Sequence, residues 1–453
     1  MRAWSPERIA EAAGACLLSA PSNGAGPERA VIDSRQAGPG ALFVGLPGQR
    51  EDGGRYAEPA LDAGAWGVLT DPPHAGVVAG QERVGVVLSA EDPLLALQRL
   101  ATAWRRELGA QVIGVTGSTG KTSTKDLLLA VLAPHVQTVA SRANFNTEIG
   151  LPLEILAAPV ETEVLVLEMA MRGAGQIAEL AQIAEPDVGV IVSVGPVHLE
   201  LLGSLEAIAE AKAELLASLA PGSTAVIPAH EDLLAPYLRD DLETVTFGEG
   251  GDVRLLDEAG DRVLIDDDGD RVELRVNFEQ AHLRRNLLAA VAAAGAVGVT
   301  PSGRVELELS PGRGQRLTLA GEVTVIDDCY NANPMSMRAA LDDLAATARR
   351  EGRSRRVAVL GDMLELGQTE AELHEQIGQH AADAGVDLLV TVGPRAERMA
   401  DRFAGDVRSV PDAGAAADLV PGLIRGGDAV LVKASRGVGL ELVCRALAGR
   451  GPG

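Results

Sequence analysis

Aromatic residues are nearly absent from this chain, 2% of 453 residues, with three Trp, three Tyr and five Phe. Cores built without rings must rely on Ala, Val and Leu. A surface without rings also lacks the stacking platform that single-stranded nucleic acid requires. Lysine is scarce as well: only Lys121, Lys125, Lys212 and Lys433 occur, against thirty-six arginines. The three cysteines, Cys16, Cys329 and Cys444, lie far apart and form no CxxC pair. That reads against a disulfide framework or a zinc knuckle and fits free thiols in a reducing cytoplasm. No uninterrupted apolar run reaches about 18 residues, so no membrane span is expected. The N-terminal stretch interleaves acidic residues and has no long apolar core, so it does not read as a signal peptide. The net charge of −24 argues against a nucleic-acid partner. It suits a protein that handles anions only in local basic or metal-containing pockets.

What is present is ordinary globular material, 46% hydrophobic and 23% charged. At roughly 150 residues per domain the length predicts about three domains. Residues 1–85 are rich in Gly and Pro, with short strands and helices. In residues 86–308, after a helical stretch over 92–108, apolar runs such as "QVIGVT", "EVLVLEM", "DVGVIVSV" and "STAVIPA" alternate with helical segments. Such runs suit a mostly parallel sheet buried on both faces. "RVLIDDDGDRVELRV" (262–276) reads as a hairpin about an Asp-Gly turn. In residues 309–453 the alternation restarts, predicting a smaller doubly wound α/β domain. Linkers are placed near 85–110 and 305–320.

The segment "VIGVTGSTGKTSTKDLLLAVL" (112–132) reads as strand, Gly-rich loop and helix. Backbone N–H groups of such a loop and the helix N-terminus form a nest for phosphate oxygens. Lys121 is then placed to bridge terminal phosphates and the Thr122 hydroxyl to ligate Mg²⁺. The GxxxxGK[ST] pattern is incomplete, because Val115 stands where its first Gly belongs. The alternative is a Gly-rich turn without a ligand. Lys125, one turn on, is expected to be solvated. No NKxD motif is present, which disfavours a GTP switch.

Glu168 falls at the carboxyl end of a strand, where doubly wound sheets gather ligands. His198 falls just past the next strand. Each alone reads equally as a salt-bridging or capping residue; together, after a phosphate loop, they are candidate Mg²⁺ ligands. The following helix, "EAIAEAKAELLASL", puts Lys212 on one stripe with Ile208, Leu215, Leu216 and Leu219, while Glu206, Glu210 and Glu214 take the other side. A lysine in an apolar stripe either snorkels to water or serves a purpose that Arg cannot.

Taken in order, "TGSTGKTS", "NFNTEIGLP" (144–152), "LEMAMRGAGQI" (167–177), "GPVHLELLGS" and "EAKAEL" resemble the central domain of the Mur ligases. "IDSRQAGPGALFVGLPGQREDG" (32–53) is similar to their UDP-binding N-terminal segment. "DDCYNANPMSM" (327–337) and "LGDMLELG" (360–367) are similar to the member that adds D-alanyl-D-alanine. The resemblance runs from about residue 30 to 440. It implies three α/β domains: a small UDP-binding domain, a central P-loop-type ATPase domain, and a Rossmann-like C-terminal domain. It also implies a bacterial, cytoplasmic, monomeric enzyme that couples ATP hydrolysis, with Mg²⁺, to amide formation between UDP-MurNAc-tripeptide and D-Ala-D-Ala.

Carried over by position, Thr116, Gly117, Ser118, Thr119, Gly120, Lys121, Thr122 and Ser123 would hold ATP. Asn286 would meet its base, Asp328 its ribose and Arg316 its phosphates. Thr122, Glu168, His198 and Lys212 would hold metal, Lys212 as a carbamate. Glu168, His198, Lys121 and Lys212 are the expected catalytic set. Ser34 and Arg35 would grip the uridine diphosphate end, and Asn144, Asn146 and Thr147 would line the sugar path. Asn331, Asn333, Lys433, Ser435 and Arg436 would come from the closing C-terminal domain, although Asn331 and Asn333 also suit purely backbone roles. Ala170 and Leu283 depart from the family pattern, where Gly and Asn are usual. Two other readings remain at this stage: a folylpolyglutamate synthase-like relative, disfavoured by the UDP-type segment, and a nucleotide-binding regulator without chemistry, disfavoured by the Glu168, His198 and Lys212 set.

Overall fold

The computed structural model describes residues 1, 3–21, 25–48, 51–81, 85–142 and 144–449. Three sheets organise them. The first has five strands in the order Cys16–Ser19, Val86–Ser89, Gly67–Thr70, Ala41–Val44, Arg29–Val31. Val86–Ser89 pairs within this sheet on both sides, so the first sheet extends past the boundary expected at residue 85. The stretch looked like part of a linker because it is only four residues of strand between a turn and a helix.

The second sheet has ten strands. Six form a parallel core in the order Glu243–Phe247, Thr224–Pro228, Val188–Ile191, Gln111–Thr116, Val164–Glu168, Thr138–Ala140. In the four inner strands the runs of Val, Ile and Leu are buried on both faces. The helices Lys121–Leu132 and Ala281–Ala296 cover one face; Pro93–Leu108, Gly150–Ala157, Gln176–Ala184 and Leu205–Ala217 cover the other. The expected hairpin is present as Arg262–Asp267 and Asp270–Val276, with Gly269 at φ 95° in the turn, a conformation that suits Gly. The helix Pro93–Leu108 is no loose tether. Trp104 is buried, meets Trp4 edge to face at 5.4 Å, and its indole donates to the Ala158 carbonyl.

The third sheet has the order Gln315–Leu319, Val323–Asp327, Asp428–Lys433, Arg355–Gly361, Leu388–Val392, Asp406–Val410, all parallel except the first strand. Separate apolar clusters lie on its two faces, as a doubly wound domain requires.

Register sets the site. Val115 pairs with Glu168, and Thr116 with Ile191. Three strands therefore end together, and the segments following them emerge at one edge. The helix Leu205–Ala217 lies tight against this part of the sheet because Gly114 and Gly189 leave room for Leu215. A methyl group added at either would stand 3.3 or 3.1 Å from that side chain. The stripe Ile208, Lys212, Leu215, Leu216, Leu219 is buried as the spacing predicts. Replacing Leu215 with Ala should cost about 2–5 kcal/mol in denaturant unfolding and loosen the helix that carries Lys212. A loss under about 1 kcal/mol would contradict this packing.

Candidate active site between the middle and C-terminal domains

The loop Gly117–Gly120 is fixed by its neighbour rather than by itself. The Ser118 and Thr119 N–H groups donate to the Ser193 carbonyl and Oγ, both at 2.9 Å, and Ser118 Oγ donates to the Gly195 carbonyl. Gly120 has φ 81°, and a Cβ there would stand 2.9 Å from Asn286 Oδ1, so both dihedral and space demand Gly. The helix Lys121–Leu132 starts at Gly120 with no side-chain cap. Its first N–H groups are left for an external acceptor, and the macrodipole favours an anion there. Lys121 Nζ folds back to the Gly117 carbonyl at 2.7 Å. Its pKa is lowered, chiefly by burial, with Glu168 opposing.

A cleft of about 780 Å³ opens in front of this loop. From the middle domain it is lined by Ser118, Thr119, Gly120, Lys121, Thr122, Ser123, Asn144, Asn146, Thr147, Glu168, His198 and Asn286, all anticipated from sequence. From the C-terminal domain come Asp328, Asn331, Asn333, Lys433 and Arg436. Glu168 is 3% exposed. Its Oε1 accepts from the Asn146 amide at 2.8 Å, while Oε2 is buried without a partner among the described residues. His198, at φ 54°, presents Nδ1 to Glu365 Oε2 at 2.5 Å. Its pKa is lowered, first by burial, with Glu365 opposing. Glu365 sits in "LGDMLELG", so this contact joins the two domains. Lys433 Nζ donates to Asp328 Oδ2 (2.6 Å) and to the Asn331 carbonyl (2.8 Å). Burial raises the Asp328 carboxyl pKa, and Lys433 works against that rise. Asn333 caps the helix Pro334–Arg350 in a reciprocal box with Ser336, the backbone role foreseen for it, while still facing the cleft.

Several expectations are corrected. Lys125 is buried, not solvated. Its ammonium donates to the Ser141 carbonyl at 2.9 Å and pairs with Asp126, tying the helix to the next strand end. Arg316 does not line the cleft. It points away from the phosphate loop, to Asp343 Oδ1 (2.7 Å) and Thr347 Oγ1 (2.8 Å). Arg313, in the same "GRGQR", is the arginine at the wall. Strand alternation turned Arg316 toward the helix Pro334–Arg350, and the preceding loop freed Arg313. Thr116, Gly117 and Ser435 stand behind the lining: Ser435 Oγ bridges the Ala332 carbonyl and the Leu364 N–H. Ser34 and Arg35 lie away from the cleft in a short 3-10 turn, where Arg35 is 88% exposed and pairs with Asp33. Lys212 does not line the cleft but lies within electrostatic reach of two residues that do, Lys121 and His198; it is 2% exposed, with no hydrogen bond or ion pair among the described residues.

Sequence reading missed His282, Arg285, Tyr330, Arg172 and Arg313 at the wall. The Arg313 guanidinium lies 4.0 Å from the Tyr330 ring centre, and that of Arg436 lies 5.3 Å away, so one ring orients two cations. The cleft walls, then Lys433 and Arg316, hold His282 down to about 4, so it is neutral at pH 7. The one ring in "DDCYNANP" was the available signal for the arginine pair.

Models of known families match this chain twice: the Mur ligase middle domain over residues 115–294, and the Mur ligase, glutamate ligase domain over residues 312–436. The chain belongs to the Mur ligase family. Among relatives of this Mur ligase, a Synechocystis protein named UDP-N-acetylmuramoyl-tripeptide--D-alanyl-D-alanine ligase is 38% identical, over 93% of this chain and 92% of its own. A crystal structure of MurF from Acinetobacter baumannii superposes with a TM-score of 0.86 at 27% identity, covering 98% of both chains. A MurF ligase from Thermotoga maritima, solved in complex with ADP, superposes with a TM-score of 0.79 at 30% identity, covering 92% of this chain and 96% of its own. No described helix is long and apolar enough to cross a membrane.

The isolated Lys212 ammonium yields a prediction. Burial, then the charge of Lys121, lowers its pKa well below 10.5. The unfolded chain therefore binds a proton more readily, and the folded state loses stability as pH falls from 10.5 through the folded pKa. In metal-free, CO₂-free buffer at pH 7, Lys212→Met should melt higher by roughly 2 °C or more. The gain should shrink as pH rises toward 10.5. A variant less stable at pH 7, or a gain independent of pH, would contradict an unpaired buried ammonium.

Proposed function

We infer that this chain is an ATP-dependent amide ligase of peptidoglycan precursor synthesis, joining D-Ala-D-Ala to UDP-MurNAc-tripeptide. The observation that carries this reading is the cleft itself. A phosphate nest on one wall faces, on the other, the "DDCYNANP" residues of the C-terminal domain. Only a reaction that brings a nucleotide and an acceptor together needs both. The names of the relatives fit the same activity.

The chemistry follows from charge. A carboxylate is a poor electrophile, so one of its oxygens attacks the γ-phosphorus, ADP leaves, and an acyl phosphate forms. The amine of the incoming dipeptide attacks the acyl carbon, loses a proton, and inorganic phosphate departs with the former carboxylate oxygen. Lys121 and the open helix N-terminus hold the β- and γ-phosphates and screen the approach of one anion to another. Arg313, braced on Tyr330, replaces Arg316 as the linker arginine facing the phosphates. Asn286 and Asp328 fit the base and ribose ends, and Lys433 keeps Asp328 in place. Ser34 and Arg35, remote from the cleft, fit the far end of a long UDP-linked substrate, with Asn144, Asn146 and Thr147 along its path. This division of labour matches three domains acting on one substrate, and a monomer in the cytoplasm is sufficient for it.

The donor set suits Mg²⁺. Glu168 Oε2 is a buried acceptor without a partner among the described residues, the Thr122 hydroxyl lines the same cleft, and His198 does too. Glu168 and Thr122 would hold one ion, and His198 with a modified Lys212 a second. Bound Mg²⁺ supplies charge neutralisation between the two reacting anions. The burial of Lys212 without a counterion supports carbamate formation: its neutral amine would bond the carbon of CO₂ and release one proton, leaving an anion where an ammonium has no partner. Arg cannot do this.

Phosphate release by the full-length chain with ATP and Mg²⁺ should require both UDP-MurNAc-tripeptide and D-Ala-D-Ala. Release with neither, or with a folate and glutamate instead, would overturn the reading. Mass analysis of the product with meso-diaminopimelate- and lysine-containing tripeptides would define the third residue. Separately, Lys212→Arg should lose at least about a hundredfold in kcat, and Lys212→Ala should recover part of its loss in added formate or acetate. Near-parental turnover by the Arg variant would exclude the carbamate without touching the ligase reading.

A further inference from the structure

We propose that Asp327, Cys329 and Cys444 form a binding site for a thiophilic divalent cation of the Zn²⁺ class, set directly behind the loop that lines the cleft. These three residues come from two pieces of chain: the end of the strand Val323–Asp327 with the loop directly after it, and the last helix, Glu441–Ala448. One carboxylate oxygen and the two sulfurs all lie within 4.8 Å of one another. Four ligands around Zn²⁺, with Zn–S bonds of about 2.3 Å, place neighbouring sulfurs about 3.8 Å apart, so small side-chain rotations complete the set. A water would take the fourth position. Both thiols are 6% exposed and sit in an apolar cluster, while Cys16 is exposed and takes no part.

Two observations favour a cation here over a merely packed pair of thiols. Asp327 forms no ion pair among the described residues; the partners of its carboxylate are the Cys329 N–H, at 3.3 Å, and the Cys444 thiol. Beside it, the Cys444 sulfur lies within 4.8 Å of both the Asp327 carboxylate and the Cys329 sulfur. Three groups able to become anions thus converge with no positive partner. Binding would release the thiol protons to solvent. A second convergence, Asp52, Asp71 and His74, has no such surplus. Asp52 and Asp71 cap their own helices, and Asp71 holds His74 Nδ1 at 2.6 Å.

The position gives such a site leverage. Cys329 stands between Asp328 and, at the next residue, Tyr330, and both line the cleft. A cation on Cys329 and Cys444 ties that loop to the last helix.

The test is Co²⁺ titration of the full-length, reduced protein in the presence of saturating Mg²⁺. The parent should develop a near-ultraviolet thiolate-to-cobalt band at one equivalent, with proton release. Cys16→Ser and His198→Ala should keep the band, which separates this site from the cleft. Cys444→Ser should lose most of it. Asp327→Asn, which preserves packing, should weaken Co²⁺ binding more than about tenfold, the loss seen even for groups that only support a ligand. No band in the parent overturns the proposal. So does an unchanged band in Cys444→Ser or unchanged affinity in Asp327→Asn, whether or not the serine variant folds well.

Discussion

Lys212 is a cation buried without a counterion, and the active-site edge is built around that cost. Moving an unpaired ammonium out of water is among the most expensive substitutions a core can contain. The helix that carries it is nevertheless packed as closely as glycine allows, with Gly114 and Gly189 both admitting Leu215. Loosening that helix would expose the lysine further to water. The tight packing instead keeps Nζ beside Lys121 and His198, whose charges act on it or feel it. A residue held at such expense makes sense if its ordinary state is not the ammonium.

The same economy governs how the domains meet. The helix Pro93–Leu108 is fused into the middle core through Trp104, so the first two domains are firmly joined. The middle and C-terminal domains touch more sparingly. The His198–Glu365 hydrogen bond and the Arg350–Glu279 ion pair cross between them, and Met335 lies where a side chain at Gly195 would have to go. His198 lines the cleft, and Glu365 meets it from the C-terminal domain.

Much of this was legible in the residues. Period-3.6 spacing placed Lys212 on the buried face, and the apolar runs located the parallel strands. The variant loop "TGSTGKTS" identified the phosphate nest despite Val115. What could not be read was side-chain direction. Arg313 and Arg316 share one short segment, and only the point where the strand Gln315–Leu319 begins decides that Arg316 faces Asp343 while Arg313, in the loop before it, faces the cleft. Lys125 looked like a surface residue because its partners, the Ser141 carbonyl and Asp126, depend on where a separate strand ends. Glu365 was quoted within its motif yet given no role, since its contact with His198 spans 167 residues. The Cys329–Cys444 convergence was invisible for the same reason: spacing along the chain carries no signal when a doubly wound sheet makes the contact.

A chain of net charge −24 must still admit polyanions, and the cleft resolves that conflict locally. Lys121, Arg172, Arg285, Arg313, Lys433 and Arg436 all line it. Two of those arginines are fixed by one tyrosine ring, and Lys433 is steered by Asp328. Low-dielectric walls concentrate the field of such a group, while the acidic exterior repels anions elsewhere. The scarcity of aromatic residues sharpens the point. With five Phe, three Tyr and three Trp in the whole chain, placing Tyr330 between two guanidinium groups is a choice that apolar packing does not explain.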